Sequence, residues 1–579
     1  MEPPLEHEPV SHPMPTEPEP AQSRPTATPA EAPRAPGPVR AWTAVADAVA
    51  LGILLCLRIR SWPPLAAVGQ RPLEGPDSGD WATNARALLE GGPLSPTRPP
   101  LYTWLTVAAS GFVHDVVYAG YLVNLIAGLA AVLVAWLLGR TCLTRPGAFV
   151  LAWLVAVSPE LVQAQHQYGV DPSFHLAVLV SLTAGLAAMR GRAWRLLMLG
   201  PALGLLASSH FLGRPWALGL AALVLLRPGS PLKRLGALGL VAALGLGTMA
   251  LLHLPYQGMG PNMVFEQFRI GLASSFDDRL MLDTSAGDLA GRLLSRLGSA
   301  CVQVWGMIFG SRAWHRIPAW MPLVLLPLGL ARVALPTRVT GSRWSGSRGV
   351  WLACVLAPAV LLAATAAPER YRNHLQPIVL TAVIAGVEAL VLIPLQLLRS
   401  ERGLPWAWTP IALLGGLALG SLTPGMVATW SVPTTEMGAH DRRVGLFIAE
   451  HFPPGGRAYV SSQEQRFYAR QSACFVERCE LDAAGGDPSA ACLAQLARAC
   501  GTDRDLPYAL DEREARGFAD TLDRAHELLE AWMRTHGTQL GVIADGPRRT
   551  TVYRVPREVL QAVSAAAPGA PGPGPGRTP

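Results

Sequence analysis

Apolar runs separated by short, arginine-bearing loops fill most of the chain between Ala41 and Val427. Their lengths suit helices crossing a hydrocarbon core, which takes about 20 residues. The first seven lie at Ala41–Leu57, Leu101–Val117, Leu122–Leu138, Ala148–Val162, Pro172–Met189, Leu196–Ser209 and Pro215–Leu226. Five more follow at Leu235–Leu254, Trp320–Leu335, Val350–Ala367, Gln376–Leu398 and Trp406–Val427. Leu101–Val117 is barely separated from its successor and reads as an entry helix lying at the membrane surface. Without it, about eleven spans remain. The pattern therefore predicts a mostly α, polytopic helical bundle.

The flanks read differently. Residues 1–40 are rich in Pro, Glu, Ala and Thr without apolar periodicity, which predicts a disordered tail; residues 565–579 read the same way. Polar sequence begins after Trp430, so the spans are assigned to 41–430 and a small α/β domain to 431–564. Within that domain the pattern predicts helices at Arg443–His451 and Ala515–His536. Strands are expected at Arg457–Ser461, Leu540–Ala544 and Thr550–Val555, with a turn at Asp545-Gly546. The long loop Pro255–Ile317 mixes apolar and charged positions and suits helices on the membrane surface. No internal repeat is present.

Charge orients the bundle. Arg140 and Arg145, then Arg190, Arg192 and Arg195, then Arg227, Lys233 and Arg234 fall in alternate loops. Arg338, Arg343 and Arg348, then Arg399 and Arg402, continue the series. Short Arg-rich loops stay cytoplasmic. The N-terminus is then inside, and both the loop 61–100 and the C-terminal domain are outside. Arg58 and Arg60 fit this scheme poorly, because they sit at the outer end of the first span. Either they face a site or they snorkel to the interface.

Composition agrees: half of the residues are hydrophobic, 15% are charged, and the formal net charge is +7. The basic residues are arginines except Lys233 and do not cluster on one soluble face, so no nucleic-acid partner is expected. Cys474, Cys479, Cys492 and Cys500 crowd one polar stretch. Their spacing lacks paired Cys-x-x-Cys knuckles, which favours disulfides in an oxidising compartment over a zinc site.

The candidate chemistry lies at span ends. Gly75-Pro76-Asp77-Ser78-Gly79-Asp80-Trp81 follows the first span, then an amphipathic run Ala82–Leu89, then Arg98-Pro99-Pro100-Leu101-Tyr102. Acids kept near hydrocarbon usually carry function. The competing role is helix capping, and Asp80 suits a cap for a helix starting near Trp81 better than Asp77 does. Asp171 follows Ser158-Pro159 and His166-Gln167-Tyr168 and opens a span as Asp171-Pro172, which is also an N-cap pattern. Arg214-Pro215 follows His210. Pro368-Glu369-Arg370-Tyr371-Arg372 opens a late span, where interfacial anchoring is the alternative. Walker A, Rossmann and His-Glu-x-x-His patterns are absent.

Asp-Ser-x-x-Trp, Ala-Arg-x-Leu-Leu-x-Gly-Gly and Arg-Pro-Pro-Leu-Tyr together resemble the first extracytoplasmic loop of C-type (GT-C) glycosyltransferases. The likeness is to the bacterial mannosyltransferase and lipid A aminoarabinose transferase branch, and it covers roughly Ala41–Leu398. It implies an integral inner-membrane enzyme that takes a sugar from a polyprenyl-phosphate donor. The sugar would go to an envelope lipid, glycan or protein on the extracytoplasmic face, with inversion and no covalent intermediate.

The resemblance makes Asp77 the leading carboxylate, with Asp80 as fallback and Asp171 as the second acid. Arg98, Tyr102, His166, Arg214, Arg370, Tyr371 and Arg372 become substrate-binding candidates. The aromatic after the Asp, commonly Tyr in the family, is Trp81 here. The resemblance implies no cofactor beyond the lipid-linked donor and leaves a divalent metal open; membrane lipids and an acceptor are the expected partners. Two rivals remain: a flippase of lipid-linked sugars, which often shows repeats and broken mid-membrane helices, and a non-catalytic envelope scaffold.

Overall fold

The computed structural model describes residues 37–62, 71–74, 77–92, 94–95, 98–189, 194–227, 229–259, 436–460, 462–474, 488–511, 530–546 and 548–566. Helical pieces are also described at 291, 325, 328–329, 380–388, 390, 416, 420 and 423–428. Two units are distinguished, Met1–Ala50 and Leu51–Pro579. All the chemistry below lies in the second. Helix α1 (Gly37–Arg60) begins in the first.

The helices of the second unit follow the apolar runs. They are α2 (Ser78–Glu90), α3 (Pro100–Val113), α4 (Val116–Cys142), α5 (Arg145–Val157), α6 (Pro159–His166) and α7 (Asp171–Ala188). Then come α8 (Trp194–Ser209), α9 (Gly213–Ala222), continued by a 3-10 turn Leu223–Leu226, and α10 (Pro231–His253). Helix α4 packs against α3, α5, α6 and α7, and α8 bridges α7, α9 and α10. Gly200 and Gly204 of α8 lie against the backbone of α10 at Gly245, where any side chain would intrude. That is how small residues bring membrane helices close. Leu232, Leu246 and Leu251 of α10 point outward, the apolar surface of a lipid-facing helix.

Among the described residues three helices, Val116–Cys142, Asp171–Ala188 and Pro231–Tyr256, are long and apolar enough to cross a membrane. A fourth crossing exists if the bent pair α5–α6 counts as one. Helix α3 has 14 residues. At ~1.5 Å per residue this falls short of a ~30 Å core. Of the other predicted spans, Ala41–Leu57 lies within α1, Leu196–Ser209 within the 16-residue α8, and Pro215–Leu226 within α9 and its 3-10 continuation. Trp320–Leu335, Val350–Ala367, Gln376–Leu398 and Trp406–Val427 fall wholly or largely outside the described residues.

The expected continuous run Ala148–Val162 needs correction: the chain bends by 47° between α5 and α6. Pro159 has no N–H to offer the carbonyl of Val155 and cannot continue the helix. The Arg58 guanidinium fills the gap, donating to the carbonyl oxygens of Val155 (3.4 Å), Ala156 (3.3 Å) and Leu161 (2.8 Å). Arg58, which strained the charge rule, is a buried cap of a broken helix, while Arg60 is exposed.

The polar C-terminal part contains α11 (Glu436–His451), β1 (Arg457–Ala458), α12 (Gln463–Ala469), β2 (Ser472–Ala473), α13 (Pro488–Cys500), β3 (Leu506–Asp511), β4 (Thr538–Asp545), β5 (Arg548–Val555) and α14 (Arg557–Ala566). The short strands β1 and β2 pair in parallel. Strands β3, β5 and β4 form an antiparallel sheet in that order, and β4 turns into β5 at Asp545-Gly546, where Gly546 takes φ 54°. The core gathers Leu496, Tyr508, Met533, Val555 and Leu560 beneath α13 and α14. A Cys474–Cys500 disulfide ties the segment after β2 to the end of α13. Cys479 lies outside the described residues.

Candidate active site

Asp77 stands at the N-terminal boundary of α2 in a left-handed conformation, φ 61°, ψ 16°, and its side chain makes no capping hydrogen bond. For a non-glycine residue this conformation is uncommon and costs energy. The expected start near Trp81 is corrected: the helix starts at Ser78, and Asp80 falls in its first turn. Neither acid caps the helix. Asp80 instead accepts from Arg98, through Nε at 3.2 Å and a terminal nitrogen at 2.7 Å. That same terminal nitrogen lies 3.0 Å from Asp77 Oδ1. One guanidinium therefore bridges both first-loop acids, and Arg466 of α12 ion-pairs with the other oxygen of Asp80.

The loop is held from three sides. Before Asp77, the Tyr121 hydroxyl of α4 donates to the Pro72 carbonyl (2.7 Å), and the Tyr168 N–H donates to the Glu74 carbonyl (2.6 Å). Arg71 and Glu74, both buried, pair at 3.2 Å. Burial raises the proton affinity of Glu74, and Arg71 opposes that rise. After α2, Asn84 exchanges hydrogen bonds with the backbone of Ser95, fixing the return of the chain. Trp81 meets Tyr102 edge-on at 5.6 Å, and the Arg98 guanidinium lies 5.8 Å over the indole.

The third side is the C-terminal part. Leu73 N–H donates to the Tyr468 hydroxyl at 2.9 Å, and Ser78 donates to Glu464. Arg86 reaches the Phe467 carbonyl at 2.8 Å with its guanidinium 3.6 Å over the Phe467 ring. Burial pushes the Glu464 carboxyl up, with the Ser78 hydrogen bond acting against it. Burial also raises the Tyr468 hydroxyl, to about 12.

Asp171 sits at the first position of α7, with Val170 at the cap position. It lines a cavity of about 20 Å³ with Arg58, Leu161 and His175, at the break between α5 and α6. A cavity that size admits a single water. The Tyr168–Glu74 bond brings the strand leading into Asp171 beside the strand leading into Asp77. The two acids thus belong to one end of the bundle, but Asp77 does not line that cavity.

The other candidates separate. Arg98 is engaged by the two acids. Tyr102 is fully buried, its hydroxyl donating to the Gly120 carbonyl at 3.2 Å, so it packs beneath the loop. His166 stacks on Trp62 at 5.4 Å, with Nε2 3.5 Å from the Ser61 hydroxyl. Arg214 is buried at the start of α9, and His210, four residues earlier, stacks on Phe174 at 4.9 Å. Arg370, Tyr371 and Arg372 lie outside the described residues. Sequence reasoning missed Arg71, Glu74, Glu464, Arg466 and Tyr468 as site residues, and it quoted Arg86 only as part of the Ala-Arg-x-Leu-Leu run. Arg58 had left a signal through its misfit to the charge rule. Among the described residues no group of His, Cys, Asp and Glu is placed to hold a metal ion.

The fold is similar to that of solved glycosyltransferases, in line with the resemblance read from the first loop. The crystal structure of ArnT from Cupriavidus metallidurans bound to undecaprenyl phosphate matches with a TM-score of 0.54 at 15% identity, covering 89% of this chain and 98% of that one. The apo oligosaccharyltransferase of Archaeoglobus fulgidus matches at 0.53 and 14% identity, over 81% and 70% of the two chains. The same archaeal enzyme, AglB, in complex with an inhibitory peptide and a dolichol-phosphate, matches at 0.51 and 13%, over 91% and 78%. In sequence, residues 97–252 match the family described as dolichyl-phosphate-mannose-protein mannosyltransferase. That stretch includes Arg98, Tyr102 and Asp171 and begins after both first-loop acids. No curated protein matches the chain in sequence.

Proposed function

We propose that this chain is an integral-membrane glycosyltransferase. It moves a sugar from a polyprenyl-phosphate donor to an envelope lipid, glycan or protein on the extracytoplasmic face of a bacterial inner membrane. One observation carries the reading: two acids at the foot of the first apolar helix share a single guanidinium instead of capping a helix. They do so in a fold whose solved examples hold undecaprenyl phosphate and dolichol-phosphate.

Asp77 takes the proton of the acceptor hydroxyl, or orients it, as the oxygen attacks the anomeric carbon. The bond from that carbon to the phosphate oxygen breaks, and the lipid phosphate leaves with the electron pair. A phosphate at the membrane boundary needs cationic partners, a role assigned to Arg370 and Arg372, with Tyr371, His166 and Arg214 on the approach. Asp171 is the second acid. About eleven spans, a cytoplasmic N-terminus and an outer C-terminal domain complete the proposal. The Cys474–Cys500 bond supports that topology, since disulfides persist in oxidising compartments.

The test uses the full chain in nanodiscs with undecaprenyl-phosphate mannose and undecaprenyl-phosphate aminoarabinose, following release of undecaprenyl phosphate. Asp77→Asn should lose about 10²–10⁴-fold in rate while staying folded. Full turnover by Asp77→Asn would pass the role to Asp80. A wild-type chain that consumes neither donor would count against the enzyme reading.

A further inference from the structure

We infer that Arg466, brought in by the C-terminal α12, is a positioning residue of the first-loop acid site: it occupies one oxygen of Asp80 so that Arg98 is divided between Asp80 and Asp77. The inference rests on the glycosyltransferase reading for its kinetic consequence but not for its geometry.

Three observations converge on it. The first is charge. Asp77, Asp80, Arg98 and Arg466 form a cluster of two carboxylates and two guanidinia, with the side chains of Asp80, Arg98 and Arg466 each no more than 20% exposed. Without Arg466, two carboxylates would face one guanidinium in a poorly hydrated setting. Asp80 already takes two nitrogens of Arg98, whereas Asp77 meets one. Asp80 would then draw the fork away from Asp77.

The second is the fit of α12 to α2. Ser462 caps α12 by accepting from the Gln465 N–H at 3.1 Å, which fixes the start of this seven-residue helix. Its successive residues then address the loop: Glu464 meets Ser78, Arg466 meets Asp80, Phe467 lies under Arg86, and Tyr468 accepts from Leu73. The third is proximity. Gly79 lies directly against the backbone of Gln463 and Glu464, so the helix is seated on one of the two residues between the acids.

The C-terminal part is thereby built into the acid site. Around the cluster, Glu464 bonds Ser78, Arg86 lies over the Phe467 ring, and Arg442 is set 5.8 Å from the Tyr468 ring.

The experiment compares wild type, Arg466→Ala, Arg466→Lys, Asp80→Asn and the Arg466→Ala/Asp80→Asn double variant, as full chains in nanodiscs. The first readout is the pH profile of undecaprenyl phosphate release from whichever of the two donors the wild type consumes. Losing Arg466 lets Asp80 draw Arg98 from Asp77, and a carboxylate that loses a neighbouring cation holds its proton to a pH about one unit or more higher. The acid limb should therefore move to higher pH by about one unit in Arg466→Ala and return in Arg466→Lys. A lower rate with the limb unmoved, or a lysine variant no better than alanine, would overturn the inference and leave α12 as packing only.

The second readout needs no substrate: hydrogen exchange of the amides at 78–90, against those of β3 and β5 as an internal reference. Faster exchange at 78–90 alone in Arg466→Ala, restored by lysine and not deepened in the double variant, supports the inference. Unchanged exchange at 78–90, or equal loss of protection in β3 and β5, overturns it. If the wild type consumes neither donor, the enzyme reading fails and the exchange data still decide the role of Arg466.

Discussion

Gly79→Ala should pry the first-loop helix from the C-terminal part. The added Cβ would collide with the carbonyl of Gln463 and lie 2.7 Å from the N–H nitrogen of Glu464. These are backbone atoms and cannot swing aside as a side-chain tip can. Relief requires α12 to retreat, which strains the Ser78–Glu464 and Asp80–Arg466 contacts. Overpacking of this kind costs about 1–3 kcal/mol. Alanine returns up to ~1 kcal/mol of helix propensity in a helix interior, and less in the first turn where Gly79 stands. The net loss is then about 1–2 kcal/mol, or roughly a 5–30-fold rise in the open fraction of this contact. Hydrogen exchange at 78–90 and 463–469 reads that rise directly. Gly92→Ala is the control within the same loop, because its nearest neighbours stand 3.6 Å away and leave room for a methyl group. If Gly79→Ala exchanges like Gly92→Ala and wild type, the seating of α12 on α2 is wrong, and with it the route by which Arg466 reaches Asp80.

Arg58→Ala should destabilise the bundle by about 1–3 kcal/mol for each carbonyl it leaves stranded at the α5–α6 break; an unchanged melting temperature in detergent would contradict the capping role. Replacing Cys474 with Ser should cost about 2–5 kcal/mol and free Cys500 for thiol labelling; Cys500 labelled equally in untreated wild type would contradict the bond. His440 is buried between Asp545 (2.7 Å) and Thr550 (2.8 Å), and burial followed by Arg548 lowers its pKa below 6.5. The unfolded chain then binds a proton that the folded chain refuses, so stability should fall as pH drops below about 6.5. Asp441 and Glu464, both raised by burial, act in the opposite sense. Exchange of the β3 and β5 amides at pH 7.5 and 5.5 measures the fall, and a His440→Gln variant showing the same pH dependence would refute it.

What the sequence revealed divides along a physical line. Apolar runs report burial in hydrocarbon, a property each residue carries alone, so the helices from α1 to α10 lie near their predicted places. The break at Pro159 was concealed by the surrounding apolar residues, although proline marks it and Arg58 repairs it from about a hundred positions away. Strand β3, Leu506–Asp511, was invisible for a related reason: buried at every position, it shows no alternation. It also carries Pro507, a residue whose presence argues against a strand interior when only the sequence is read.

The acid site shows the limit most clearly. Asp77 and Asp80 could be named from their motif, since local spacing is what a motif records. Their environment could not be read in the same way. Arg98 lies 18 residues from Asp80 along the chain and Arg466 lies 386 away. Nothing in the local composition of Gln463–Ala469 separates Arg466 from an ordinary solvated arginine. An ion pair of that span is set by the docking of two separately formed elements. Its signal in the sequence is only the set of small and polar residues that let them meet: Gly79 for proximity, Ser78 for Glu464, and Arg86 for the face of Phe467. Taken singly each has an ordinary explanation. Placed on one helix, at 78, 79 and 86, they describe a surface shaped for α12.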